Sequence, residues 1–236
     1  QHVVTGSGDN TCKIWDCSTG SLLHSLASET AVRSCSFSFD GNIVMMATDK
    51  AMGYPSSLSI VDIRDNEQMS SKGSKNIWKM FVKDISKITK ALWGPLSETI
   101  ITGHEDGEVC LFDASSGARV KSVTEHTAQI MDMQMYKDRT MFITASKDHT
   151  SKLFGSYDLD NLRVYKTERP VNSASLSPFR DHVLLGGGQE AREVTTTSTK
   201  QGKFDARFFH SVYAEEFGRV KGHFGPINSV SFTPDG

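Results

Sequence analysis

The side chains that could do chemistry in this sequence fall into a few sets, and spacing decides what each could do. Three aspartates recur in one setting. Asp9, Asp106 and Asp148 each follow a threonine by four residues (Thr5, Thr102, Thr144) and precede an aromatic by six (Trp15, Phe112, Phe154). A carboxylate between two β-rich runs accepts backbone N–H bonds in a tight turn, so the pattern reads as strand, polar turn, strand. Cys12 and Cys17 have C-x4-C spacing, but no second cysteine pair or histidine pair completes a zinc set. Gly186-Gly187-Gly188 would cradle a phosphate only with a Gly-Lys-Ser/Thr and a helix behind it. The β-branched run from Val194 to Thr199 supplies neither, so the glycines read as a turn at a strand edge. No Gly-x-Ser-x-Gly elbow and no His-Glu-x-x-His occurs, so hydrolase and metalloprotease chemistry have no residues to stand on. No catalytic residue, metal or cofactor is expected.

The elements that must position these groups follow from a second recurrence. An aliphatic residue is followed five later by a bulky apolar one at Val32/Phe37, Ile88/Trp93, Ile130/Met135, Val171/Leu176 and Ile227/Phe232, at intervals of 56, 42, 41 and 56 residues. Turn sequences such as Ser38-Phe39-Asp40-Gly41 and Gly94-Pro95-Leu96-Ser97 follow most of them. Each unit then holds four short β-rich runs; the cleanest has Ile130–Met135, Thr140–Ala145, Thr150–Phe154 and Leu162–Lys166. Four antiparallel strands per ~40 residues, repeated, predict an all-β propeller whose blades bury both faces only by stacking on neighbours. The predicted boundaries are 1–27 (the last three strands of a blade), 28–83 (a blade with an insertion), 84–125, 126–166, 167–222 (a second insertion) and 223–236 (the first strand of a further blade). That is about five blades' worth of a single domain.

Composition narrows the function classes. With 26 basic against 28 acidic residues and a net charge of −2, binding to nucleic acid or acidic membranes by bulk electrostatics is disfavoured. No apolar run approaches the ~20 residues of a membrane helix. Four scattered cysteines and no signal segment at Gln1–Thr5 fit a reducing, cytoplasmic setting. The start at Gln1 and the turn-like end Thr233-Pro234-Asp235-Gly236 read as cuts through blades, so the protein is expected to run longer at both ends. Met131, Met133 and Met135 alternate and read as packing between blades, with adaptable contact surface the other reading. Basic residues such as Lys83, Lys87 and Lys90 are dispersed among acids and read as solvated surface.

The Asp-x5-Trp-Asp run at Asp9–Asp16 and the Gly222-His223 pair before a strand resemble WD repeats. The likeness is closer to one family. Asp49-Lys50-Ala51-Met52-Gly53-Tyr54, Thr167 to Ala174, Gly186 to Ala191, Val194 to Thr199, Ala206-Arg207-Phe208-Phe209-His210 and Phe217 to Val230 resemble the subunit i family of eukaryotic translation initiation factor three. The resemblance implies a seven-bladed propeller without enzymatic activity. It also implies a docking subunit on the small ribosomal subunit, with the b and g subunits as direct partners. Twenty strands are counted against the 28 of seven blades; closing three leading strands with one trailing strand into five blades is the other arithmetic.

The resemblance also implies a buried network in each repeat: His before the first strand, Ser/Thr on the second, Asp in the next turn, Trp on the third. Carried over, one repeat offers His126, Thr144 and Asp148, with Phe154 where Trp would stand; phenylalanine has no N–H, so the network ends one bond short. Another offers Thr5, Asp9 and Trp15. A His/Asp acid–base pair is the competing reading of His126 and Asp148, but a hydrogen-bond relay that stiffens the blade is preferred. Partner contacts are placed on the second insertion at Glu190, Arg192 and Arg207. No membrane contact, direct RNA contact or homo-oligomer is expected. A peptide-recognition module of another complex and a propeller hydrolase remain as alternatives; the 186–230 signature separates the first of them, and the second would need clustered carboxylates or metal ligands.

Overall fold

The computed structural model describes residues 1–51, 53–64, 78–81, 86–188 and 204–236, with 78–81 given as backbone alone. The described residues are almost all strand and turn, and the strands fall into antiparallel sheets that follow the repeat. Contacts group the chain into two compact units, Gln1–Glu105 with Cys110–Lys121, and Asp106–Val109 with Ser122–Gly236.

The first unit holds a three-stranded sheet, β1 (His2–Gly6), β2 (Thr11–Asp16) and β3 (Leu22–Ala27). Next comes a four-stranded sheet of β4 (Val32–Phe37), β5 (Ile43–Thr48), β6 (Ser57–Asp62) and β7 (Trp78–Phe81), then another of β8 (Ile88–Trp93), β9 (Thr99–His104), β10 (Glu108–Asp113) and β11 (Arg119–Thr124). The second unit holds β12 (Ile130–Met135), β13 (Met141–Ser146), β14 (Thr150–Gly155) and β15 (Asn161–Lys166). It continues with β16 (Val171–Leu176), β17 (His182–Gly187), β18 (Ala206–His210) and β19 (Glu216–Val220). Each four-stranded sheet is a simple meander, the form of a WD-repeat blade.

Sequence explains the layering. The second strand of the β4–β7 sheet is apolar on both faces, Ile43-Val44-Met45-Met46-Ala47, and is nearly all buried, whereas the polar last strand Arg119–Thr124 is mostly exposed. One core joins Met45, Leu58 and Ile60 of one sheet to Ile88, Trp93, Ile100 and Phe112 of the next. In the second unit Ile143, Leu153 and Tyr165 pack on Val171, Val183 and Phe209. Neighbouring sheets thus share their hydrophobic faces, as stacked repeats must. All four complete blades shift register in the first strand, at Val32/Ser34, Ile88/Lys90, Ile130/Asp132 and Val171/Ser173. Such a bulge re-aims the following side chains: Ser34 Oγ donates to Ala91 O (3.1 Å) and accepts from Ala91 N (3.2 Å), so β4 and β8 are linked through a hydroxyl.

The region from Ile227 to Phe232 differs from the sequence expectation: it forms no ladder strand. It meets β16 through side chains, with Val230 N donating to Ser173 Oγ (3.1 Å) and Phe232 N to Ser175 Oγ (3.3 Å). Of the three alternating methionines, Met133 is buried, while Met131 and Met135 are half-buried. Gly186 and Gly187 lie inside β17 rather than in a turn, and a Cβ on Gly187 would stand 2.1 Å from the carbonyl oxygen of Pro170. The glycines allow close backbone approach.

Candidate functional site

His126 sits four residues before β12 and is 1% exposed. Its Nδ1 lies 2.8 Å from Asp148 Oδ2 and its Nε2 lies 2.7 Å from Thr144 Oγ1. The structure therefore brings His126, Thr144 and Asp148 together. Asp148 is held in the β13–β14 turn, where its Oδ1 accepts from Thr150 N (2.9 Å) and Thr150 Oγ1 (2.6 Å); its Oδ2 also accepts from Thr127 N (3.1 Å). The carboxylate thereby ties the loop ahead of β12 to the turn ahead of β14.

Electrostatics fixes the proton positions. Burial lowers the His126 pKa below 6.5, and Asp148 only partly opposes it. Burial alone would raise Asp148, but hydrogen bonds from Thr150 and His126 outweigh it and lower its pKa. A neutral imidazole beside an ionised carboxylate carries its proton on Nδ1 and donates it to Asp148. Nε2 then accepts from the Thr144 hydroxyl. Both ring nitrogens are engaged, so the ring has no lone pair to offer a substrate.

The first repeat is built differently. Trp15 Nε1 donates to Thr5 Oγ1 (2.9 Å), but Asp9 stands apart from them, accepting from Thr11 N (3.0 Å) and Thr11 Oγ1 (2.6 Å). Those threonine bonds, with Ser7, lower the Asp9 pKa. A third arrangement escaped the spacing rules. His104, fully buried in β9, places Nε2 2.8 Å from Thr102 Oγ1 and Nδ1 2.9 Å from the carbonyl oxygen of Ser86. Here the imidazole reaches its threonine from two residues along the same strand instead of from the preceding loop. The period of two that puts Thr102 and His104 on one face was the available signal.

Of the residues placed on the second insertion, Glu190 and Arg192 lie outside the described residues. Arg207 is 7% exposed, and its guanidinium faces Glu168 Oε2 (3.3 Å) and Glu216 Oε2 (3.7 Å). Its charge is matched within the blade. Another cluster was invisible in the sequence: the buried Asp49 carboxylate accepts from Arg33 Nε (2.7 Å) and faces Lys87 Nζ (2.8 Å). Arg33 is the residue skipped by the β4 register shift, which lets it reach back over the hairpin. Cys12 and Cys35 meet in the apolar cluster of the first two sheets as free thiols, and Cys17 is exposed. Among the described residues, no helix is long and apolar enough to cross a membrane.

Comparison with known proteins places this geometry in a family. The EIF3I family model matches residues 1–236. Eukaryotic translation initiation factor 3 subunit I of Taeniopygia guttata is 58% identical over 236 residues, covering 100% of this chain and 72% of that protein. The Homo sapiens protein of the same name is 57% identical over 236 residues, with the same shares. That of Bombyx mori is 56% identical over 235 residues, covering 100% of this chain and 71% of that protein. With a match that runs the length of the chain, over sheets that each repeat the WD-type meander, the chain belongs to the EIF3I family.

Proposed function

We propose that this chain acts in translation initiation as a non-catalytic scaffold of eukaryotic translation initiation factor 3, in the cytoplasm. It docks other subunits, the b and g subunits among them, on the small ribosomal subunit. The observation that carries this is identity of 56–58% along the whole chain to proteins named as subunit I of that factor. The geometry of the polar groups agrees: His126, Thr144 and Asp148 spend their hydrogen bonds on one another, on Thr150 and on the backbone. We read that network as a relay that stiffens a blade, and the blade boundaries and seven-bladed closure as parts of the same proposal. A rigid stack of blades presents its turns at fixed spacing, which suits docking of extended or helical segments.

Reconstitution tests it. The full-length protein should co-purify with the b and g subunits and join small ribosomal subunits through them. A full-length protein that binds neither subunit and is absent from the ribosomal complex would sink the proposal.

A further inference from the structure

At one end of the β4–β7 and β8–β11 sheets, within the first unit, lies a groove of about 490 Å³. Its floor is apolar: Ile43 of β5, Ile60 of β6 and Trp93 of β8. Its polar edge includes Ser97, Glu98 and Asp113. Two turn tips stand beside it with large apolar side chains in solvent, Phe39 at 68% and Leu96 at 71% exposed. These tips are fixed to each other, since Phe39 N donates to Ser97 Oγ at 2.7 Å. Leu96 and Ser97 both hold positive φ (50° and 61°), a backbone state that L residues adopt only with strain. A glycine or asparagine would serve that turn more cheaply, yet the sequence displays leucine there, and strain of this kind tends to gather at functional surfaces.

The rim is anionic. Asp40 lies in the turn between Phe39 and Ile43, and Asp62 faces Ile43 in the β5–β6 register. Glu98 and Asp113 close the other side. Hydrogen bonds from Ser115 and Ser116 hold the Asp113 carboxyl at about 2, and those from Ser38 and Asn42 hold Asp40 at about 2, so both are ionised at neutral pH. Arg64 pairs with Asp62, while Glu98 is exposed. Hydrogen bonds that cap a turn settle a carboxylate without removing its charge.

An apolar floor with exposed apolar tips wants a hydrophobic anchor, and an anionic rim selects the charge around it. We propose that this groove docks a polypeptide segment of another subunit of the same factor, an aliphatic or aromatic anchor flanked by lysines and arginines. The inference rests on the scaffold reading and adds to it the place and the chemistry of one contact.

The test uses full-length protein in the reconstituted factor, with p-benzoylphenylalanine replacing the exposed Ser115 at the rim. Irradiation should cross-link it to a segment of another subunit in which an apolar residue lies among lysines and arginines. Glu98→Lys should weaken that subunit's binding about tenfold and flatten its salt dependence, without shifting the melting temperature. A cross-link to an acidic segment, to RNA or to a second copy, or no cross-link in an intact assembly, overturns this inference and leaves the scaffold reading standing. Failure of the unsubstituted protein to assemble at all overturns both.

Discussion

Trp15 donates its indole N–H to the Thr5 hydroxyl at 2.9 Å, and Phe154, at the matching place opposite Phe142, has no donor to give Thr144. The two threonines occupy the same register position, each facing a lysine on the next strand, Lys13 and Lys152. Their surroundings differ: Thr5 is exposed, and Thr144 is fully buried. The aromatic in the second blade is used for packing instead, with Phe142 and Phe154 stacked at 5.4 Å.

From this difference Thr144→Val should cost about 1–3 kcal/mol, because it strands the buried Nε2 of His126 without its donor. Thr5→Val should cost less than about 0.5 kcal/mol, since the Trp15 N–H can turn to water. Urea unfolding of the two variants of the full-length protein checks the ranking; equal losses would refute it.

The protonation of His126 gives a pH prediction. Unfolded, the imidazole titrates near its ordinary value of 6.5, and burial lowers it in the fold. Above pH ~6.5 both states are neutral and the contribution is whole. Below it the unfolded chain binds a proton that the fold resists, so stability falls with pH. Asp148, also lowered from 3.8, keeps its contribution until the pH drops under that value. Between pH 7.5 and 5 the histidine is therefore the member of the pair that acts. Unfolding free energy should decline over that interval, and His126→Asn should flatten the decline even if the variant is less stable throughout.

What the sequence disclosed follows from what repeats. The Thr144-to-Asp148 offset recurs at Thr5/Asp9 and Thr102/Asp106, so the blades were legible from the repeat, whereas His126 joined the network only through the resemblance to WD repeats. His104 breaks the offset while keeping a threonine partner, and pattern matching has no place for it. Asp49 finds Arg33 on the preceding strand and Lys87 at the start of the next blade; nothing local marks either. Arg207 looked available for a partner because burial is a property of the assembled sheet, where Glu168 and Glu216 surround it. The positive φ of Leu96 is written only in the backbone.

Gly107 shows how tightly the Asp turns are built. It follows Asp106 with φ +89°, as Asn10 follows Asp9 at 65° and His149 follows Asp148 at 67°. Unlike those two it has no room: a Cβ there would stand 2.3 Å from the carbonyl oxygen of His126. Gly107→Ala should therefore cost more than about 2 kcal/mol, combining backbone strain with displacement of the loop that carries the histidine. Gly8→Ala, with nothing within 4 Å of its Cβ, should stay within about 0.5 kcal/mol. Matching melting temperatures for the two variants would contradict this account.

Leu96 offers the opposite sign. At φ 50° and ψ 11°, its Cβ crowds the following carbonyl, and its exposed side chain recovers little burial in return. Asparagine tolerates that backbone state far better, so Leu96→Asn should raise the stability of the full-length protein by about 0.5–1 kcal/mol. Ser97→Ala should lower it by about 0.5–1.5 kcal/mol, because the Phe39 N–H loses the Ser97 hydroxyl. The two effects arise in adjacent residues but from separate causes, one backbone strain and the other a link between turns. Thermal unfolding of both single variants checks their signs. A Leu96→Asn protein that melts below the parent would show that the leucine side chain, and not the backbone, governs the turn.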